Sequence, residues 1–215
     1  MEATRHDLTA PRGWHRLVPF PAAGGDPAFH IAAHARLTGH DLEVEFQIDG
    51  AIAELVLPQP EARPERRDGL WRSTCFEVFS GAPGESSYTE FNLAPNGDWA
   101  AWTFASYRES PAQADHVAPS HFNVERTATS YRLAATLVLR PATVLEMNLT
   151  TVLETVGGTI AHMALAHPRG QPDFHAPEAR VLRLVADAAR LAEDSEPDSS
   201  RPPCNPGPRS GRSRP

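Results

Sequence analysis

Residues 41–50 read Asp41-Leu42-Glu43-Val44-Glu45-Phe46-Gln47-Ile48-Asp49-Gly50, and their alternation decides the fold class. Leu42, Val44, Phe46 and Ile48 occupy every second position, with Glu43, Glu45, Gln47 and Asp49 between them. A period of two puts the apolar set on one face and the polar set on the other, the pattern of a strand with one face buried. Asp49-Gly50 then signals a turn into a further strand over Ala53–Leu57. The same alternation returns over Tyr131–Leu139 and Leu145–Leu153, after which Gly157-Gly158 turns the chain into Thr159–Ala166. Shorter strands are expected at Thr74–Phe79, Tyr88–Leu93, Trp99–Phe104 and Val181–Val185. The single helical signal of any length is Leu184–Ala192. Proline, at 21 of 215 residues, is about twice as frequent as usual and falls between short apolar runs, which disfavours long helices. Many short strands punctuated by Gly and Pro predict an all-β sandwich or barrel.

Composition narrows the function. The net charge is −7 with no basic block, which argues against nucleic acid and anionic membrane as partners. No apolar run approaches the roughly 20 residues of a membrane-spanning helix. Met1–Leu17 has no apolar signal segment. All 20 basic residues are Arg, which excludes Schiff-base and P-loop chemistry that needs Lys; coding bias is the plain explanation. Two cysteines cannot form a disulfide framework, so the expectation is a cytoplasmic protein with reduced thiols. Residues 14–192 read as one domain. Residues 193–215 contain no Val, Ile, Leu, Met or aromatic residue and are expected to be a disordered tail. The tail ends in Arg209, Arg212 and Arg214, which could meet an acidic protein partner.

The densest chemistry lies between Leu70 and Arg108. Cys75, Glu77 and Phe79 share one face of their strand, and Glu90 and Asn92 share one face of the next. A hairpin loop over Gly81–Ser87 would pair these strands. If the faces coincide, Glu77, Glu90 and Asn92 form a polar cluster on an otherwise apolar sheet. Trp99 and Trp102 are three apart and point to opposite faces, one inward and one outward. Trp71, Arg72, Tyr107 and Arg108 lie close by in sequence. Aromatic faces with acids, amides and Arg suit a sugar. They suit equally a buried Arg–Glu network with aromatic packing. A glycosidase would need two carboxyls roughly 5–10 Å apart across a cleft, and the sequence shows no cleft.

A second region, His162 to His175, holds three His, Met163 and Asp173. It lacks HExxH, CxxC and His-x-His spacing, and a tight loop pinned by Asp173 explains it as well as a metal site does. Cys75 reads as a buried, inert thiol. The Asn148-Leu149-Thr150 triplet lies within a strand and reads as a chance glycosylation match.

Three runs, Leu70–Phe79, Tyr88–Arg108 and Ala164–His175, together resemble the bacterial DOMON-like domain proteins, relatives of DOMON domains and of family 9 carbohydrate-binding modules. The resemblance extends from about Arg16 to Val185. Where it would place a Tyr-Trp pair, this chain has Ala161-His162-Met163. It implies an immunoglobulin-like or jelly-roll sandwich of about nine to eleven antiparallel strands. It also implies non-catalytic binding of a small polar, sugar-like ligand. The candidate ligand-binding residues are Trp71, Arg72, Glu77, Glu90, Asn92, Trp99, Tyr107 and Arg108, with His167, Asp173 and His175 as a second group. The aromatics would stack and the charged groups would form bidentate hydrogen bonds. The alternative carried by the same resemblance is haem, with His167 or His175 and Met163 as axial ligands. No catalytic residue and no metal ligand is assigned.

Overall fold

The computed structural model describes residues 13–20, 29–114, 118–139 and 142–186. The described residues form twelve strands and no α-helix. In chain order they are β1 (Trp14–Pro19), β2 (Phe29–Thr38), β3 (Asp41–Gly50), β4 (Cys75–Gly81), β5 (Tyr88–Leu93) and β6 (Trp99–Phe104). The two-residue β7 (Ala112–Gln113) follows, then β8 (Pro119–Arg126), β9 (Ser130–Val138), β10 (Val144–Glu154), β11 (Ile160–Ala164) and β12 (Leu182–Val185). Every strand pairing is antiparallel.

One layer runs β8-β9-β3-β2-β1 and the other β7-β6-β5-β4-β10-β11-β1. β1 belongs to both: Trp14–Leu17 pair with β2, and Val18 and Pro19 pair with β11. β12 adds to β10 over Val144–Met147. The apolar residues of residues 41–50 point into the space between the layers, with Leu42, Val44, Phe46 and Ile48 fully buried. Phe76, Val78, Phe91 and Leu149 answer them from the second layer. Phe76 locks the contact, with its ring 5.2 Å from Phe46 and stacked on Tyr131 at 5.7 Å.

Three expectations change. Ala53–Leu57 is not a strand: Ile52–Glu54 forms a 3-10 turn and Leu55 makes an isolated bridge to Thr155. Its buried residues are Ile52, Leu55 and Leu57, and the first step of three suits a turn rather than a pleat. The signal at Leu184–Ala192 begins inside β12, and residues 187–192 lie outside the described residues, as does the tail over 193–215. β1, β2, β7 and β8 add strands that the sequence reading did not place.

The second layer has two buried faces. Phe76, Val78 and Phe91 face the core between the layers. The alternate residues Phe79, Tyr88, Phe104 and Val152 form a smaller cluster on the outer face, together with Phe174. That outer face carries the site.

Candidate functional site

Register builds the floor. Glu77 on β4 pairs with Asn92 on β5, and Phe79 pairs with Glu90, which pairs in turn with Trp102 on β6. On the other side Glu77 pairs with Thr150, and Val152 pairs with both Cys75 and His162. These side chains therefore share the outer face. The two acids are buried, at 3% and 6% exposure. Above them opens a cavity of about 650 Å³.

Three segments form its walls. The first is the chain before β4. Asp98 fixes it by accepting hydrogen bonds from the Glu65 backbone N–H (2.8 Å) and Asn96 Nδ2 (2.9 Å) and by an ion pair with Arg67 Nε (2.9 Å). Gly69, in the left-handed region at φ +77°, then opens a 3-10 turn over Leu70–Arg72. This brings Asp68, Trp71 and Arg72 to the rim. The Arg72 guanidinium lies 5.1 Å from the Trp71 ring. Arg66 covers Trp102 at 4.9 Å and bonds Asp68 at 2.8 Å.

The second wall is the turn after β6, which contributes Arg108 and Pro111. Arg108 sits at φ +57°, unusual for a residue with a Cβ. The third is the strap after β11, which contributes Pro172, Phe174 and His175. Asp173 ties the two together. It accepts hydrogen bonds from Tyr107 Oη (2.8 Å), Arg108 Nη2 (3.1 Å) and Arg169 Nη1 (2.9 Å). Burial pushes the Asp173 carboxyl up, but these donors prevail and hold it below the usual range. Arg169 also lies over the Tyr107 ring, 4.6 Å from its centre.

His175 closes the far end, edge-on to Phe79, Phe104 and Tyr88. Burial, reinforced by the Arg108 charge, pulls it down to about 4, so the ring is neutral near pH 7. Tyr88 Oη accepts the Arg108 backbone N–H at 3.2 Å and meets His175 Nδ1 at 2.7 Å. With Tyr88 donating to Nδ1, the ring proton rests on Nε2, which lies 3.7 Å from Glu90 Oε2. Glu90 Oε1 accepts Asn92 Nδ2 at 2.6 Å. Burial raises the Glu90 carboxyl, against the Asn92 bond and the Arg108 charge. Burial first, and the Glu90 charge second, push Glu77 well up.

Of the expected residues, Trp71, Arg72, Glu77, Glu90, Arg108 and His175 line the cavity. Asn92 lies behind it, bonded to Glu90. Tyr107 and Asp173 brace the wall without lining it. Trp99 does not join them; it packs against the core between the layers, while Trp102 reaches the cavity. His167 also stands apart, with Nε2 2.9 Å from the Val18 carbonyl. The haem ligand pair is not assembled, because Met163 is buried in the inter-layer core, on the other side of the sheet from His175. Among the described residues, no three His, Cys, Asp or Glu side chains gather as a metal set. Sequence reasoning missed Asp68, Trp102, Phe104 and His162 as wall residues.

No protein-family model matches the chain, and no curated protein matches it in sequence. Solved structures share its fold. A family 9 carbohydrate-binding module from Caldicellulosiruptor kristjanssonii, in complex with cellotriose, superposes with a TM-score of 0.54 at 11% identity, covering 90% of this chain and 88% of that one. A candidate carbohydrate-binding protein from Bacteroides uniformis ATCC 8492 superposes with a TM-score of 0.51 at 13% identity, covering 80% and 87%. The class defined is a β-sandwich of the architecture seen in carbohydrate-binding modules.

Proposed function

We propose that the outer-face cavity binds a carbohydrate and does not transform it. The observation that carries this reading is the wall itself. Two indoles, Trp71 and Trp102, and the rings of Phe79 and Phe104 surround the buried acids Glu77 and Glu90, with Arg72 and Arg108 at the edges. Sugars present apolar C–H faces and a belt of hydroxyls, and such a wall offers aromatic surface for the first and hydrogen-bonding groups for the second. The volume also falls within the range of small-molecule sites. The shared fold with a module that binds cellotriose supports the same reading, as does the DOMON-like resemblance of the three motifs.

The test is a thermal-shift panel of mono- and oligosaccharides on the wild type and on Trp102→Ala. A sugar at a hundred times its Kd stabilises by about 2.7 kcal/mol, or roughly 5–11 °C for a domain of this size. The reading requires such a shift with at least one sugar and its loss in Trp102→Ala. No shift with any sugar, or a shift that survives the substitution unchanged, overturns it.

A further inference from the structure

We propose that the cavity is built for an amino sugar, whose protonated amine is held between Glu77 and Glu90. This rests on the carbohydrate reading and names the substrate class within it. Glu77 Oε1 is buried and lacks a hydrogen bond of good geometry, although the residue lines the cavity; the Thr150 hydroxyl, on the paired strand, is the protein donor that acts on this carboxyl. A buried carboxyl oxygen calls for a donor, and a ligand in the cavity can supply one. Glu90 is its diagonal neighbour across the strand pair, since Glu77 opposes Asn92 and Glu90 opposes Phe79. Diagonal neighbours on one face stand about 7–8 Å apart, so two such side chains can converge on one ammonium. Glu90 Oε1 is occupied by Asn92, but Oε2 is 3.7 Å from His175 Nε2, longer than a hydrogen bond.

The Arg108 charge reaches both acids and works against their raised pKa, but no cation is hydrogen-bonded to Glu77. Arg108 is bonded to Asp173, which also holds Arg169. Arg72 lies on Trp71, and Asp68 is bonded to Arg66. Burial keeps His162 and His175 below their ordinary pKa, and holds the Cys75 thiol, on the same strand as Glu77, in its neutral form. Two acids therefore face one cavity with no cation bonded to Glu77. A neutral hydroxyl can satisfy one oxygen but gives no reason for two acids to share the site. An ammonium donates to both carboxyls and balances the charge that Glu77 takes on when it ionises, and the rings of Phe79 and Trp102 favour a cation beside them. A metal ion would need a larger ligand set than the described residues offer. Burial of Glu77 favours its protonated form in the empty cavity. Arrival of the ammonium then leaves Glu77 as carboxylate and passes one proton to solvent.

The experiment is titration calorimetry on the full chain with three probes: the β-1,4-linked glucosamine dimer, its N-acetylated counterpart and cellobiose. Each is run at mildly acidic pH, where the amine is protonated, in two buffers of different ionisation enthalpy. The proposal expects the glucosamine dimer to bind at least about tenfold more tightly than either neutral dimer, with a buffer-dependent heat that reports proton release. It expects the affinity ratio to collapse toward one in Glu77→Gln, with Glu90→Gln as the second variant. Comparable affinity for all three dimers overturns the proposal and leaves the carbohydrate reading standing. A ratio that persists in both Gln variants also overturns it. No binding by any dimer, nor by the wider panel, removes both.

Discussion

His175→Phe isolates the proton chemistry of the strap. Phenylalanine keeps the ring that lies against Phe79, Phe104 and Tyr88, so packing is retained. It removes the titrating group and one partner of Tyr88 Oη, a loss independent of pH. In the wild type burial pulls the imidazole from 6.5 to about 4. Between those values the unfolded chain binds a proton that the folded chain does not, so folding stability falls as pH falls. The stability is fully present above about 6.5 and is lost as pH drops through about 4. A gap of that size costs the wild type about 2 kcal/mol at pH 5 and about 3 kcal/mol at pH 4 relative to a non-titrating ring. Urea unfolding of both proteins from pH 7 to pH 4 measures it, because the difference cancels every group the two share. The wild type should lose roughly 3 kcal/mol against the variant across that range. Parallel stability curves would show that His175 titrates normally, and the argument for a buried neutral imidazole would fail.

Two further outcomes follow from the same charges. Asp173→Asn weakens three hydrogen bonds; its Arg partners are half-exposed and screened, so the loss should be about 2 kcal/mol, or roughly 4–8 °C in Tm. The deficit should shrink below about pH 3.8, where the wild-type carboxyl approaches its lowered pKa; an unchanged Tm would show that Asp173 does not brace the wall. Glu77→Gln should behave in the opposite sense. The Glu77 carboxyl, raised by burial, contributes stability that is complete below about 4.5 and is lost as pH rises through its folded pKa. The variant should therefore gain on the wild type with rising pH in thermal melts, and a flat or falling difference would contradict the burial argument.

The fold was legible where alternation was strong. Residues 42–48 leave no ambiguity, since every second residue is large and apolar. β2 was hidden because its buried positions include Ala33 and Ala35, with His30 and His34 between the apolar ones, so its period is real but its contrast is weak. The acids of the site were legible from strand parity, and so were Arg108 and His175 as residue types in suggestive runs. Choosing between Trp99 and Trp102 required the register of one hairpin. A two-residue Asn96-Gly97 loop would pair Glu90 with Thr103 and place Trp99 on the face of the acids. The actual loop is three residues, Pro95 to Gly97, closed by Ala94 N–H to the Asp98 carbonyl at 2.9 Å. Gly97 takes the left-handed position at φ +94°, where a Cβ would also come within 2.8 Å of Pro64 Cγ. The extra residue shifts the register by one and exchanges the two indoles. Tyr107 and Asp173 misled for a different reason: groups that could grip a ligand serve equally well to hold the strap that walls it. Phe104 and Val152 carry no signal of a cavity in the sequence, because an apolar cavity floor and a core face have the same pattern.

The cavity claim is tested most directly by the four tryptophans, Trp14, Trp71, Trp99 and Trp102. Their indole N–H signals can be followed separately by NMR in ¹⁵N-labelled protein as the glucosamine dimer and then cellobiose are added. Trp71 and Trp102 line the cavity, whereas Trp99 packs on the core between the layers and Trp14 lies on β1 beside His34. Saturable movement of the Trp71 and Trp102 signals, with Trp14 and Trp99 unmoved, is the predicted result. Movement confined to Trp14 or Trp99, or no movement with either sugar, would contradict a sugar site on the outer face of the second layer.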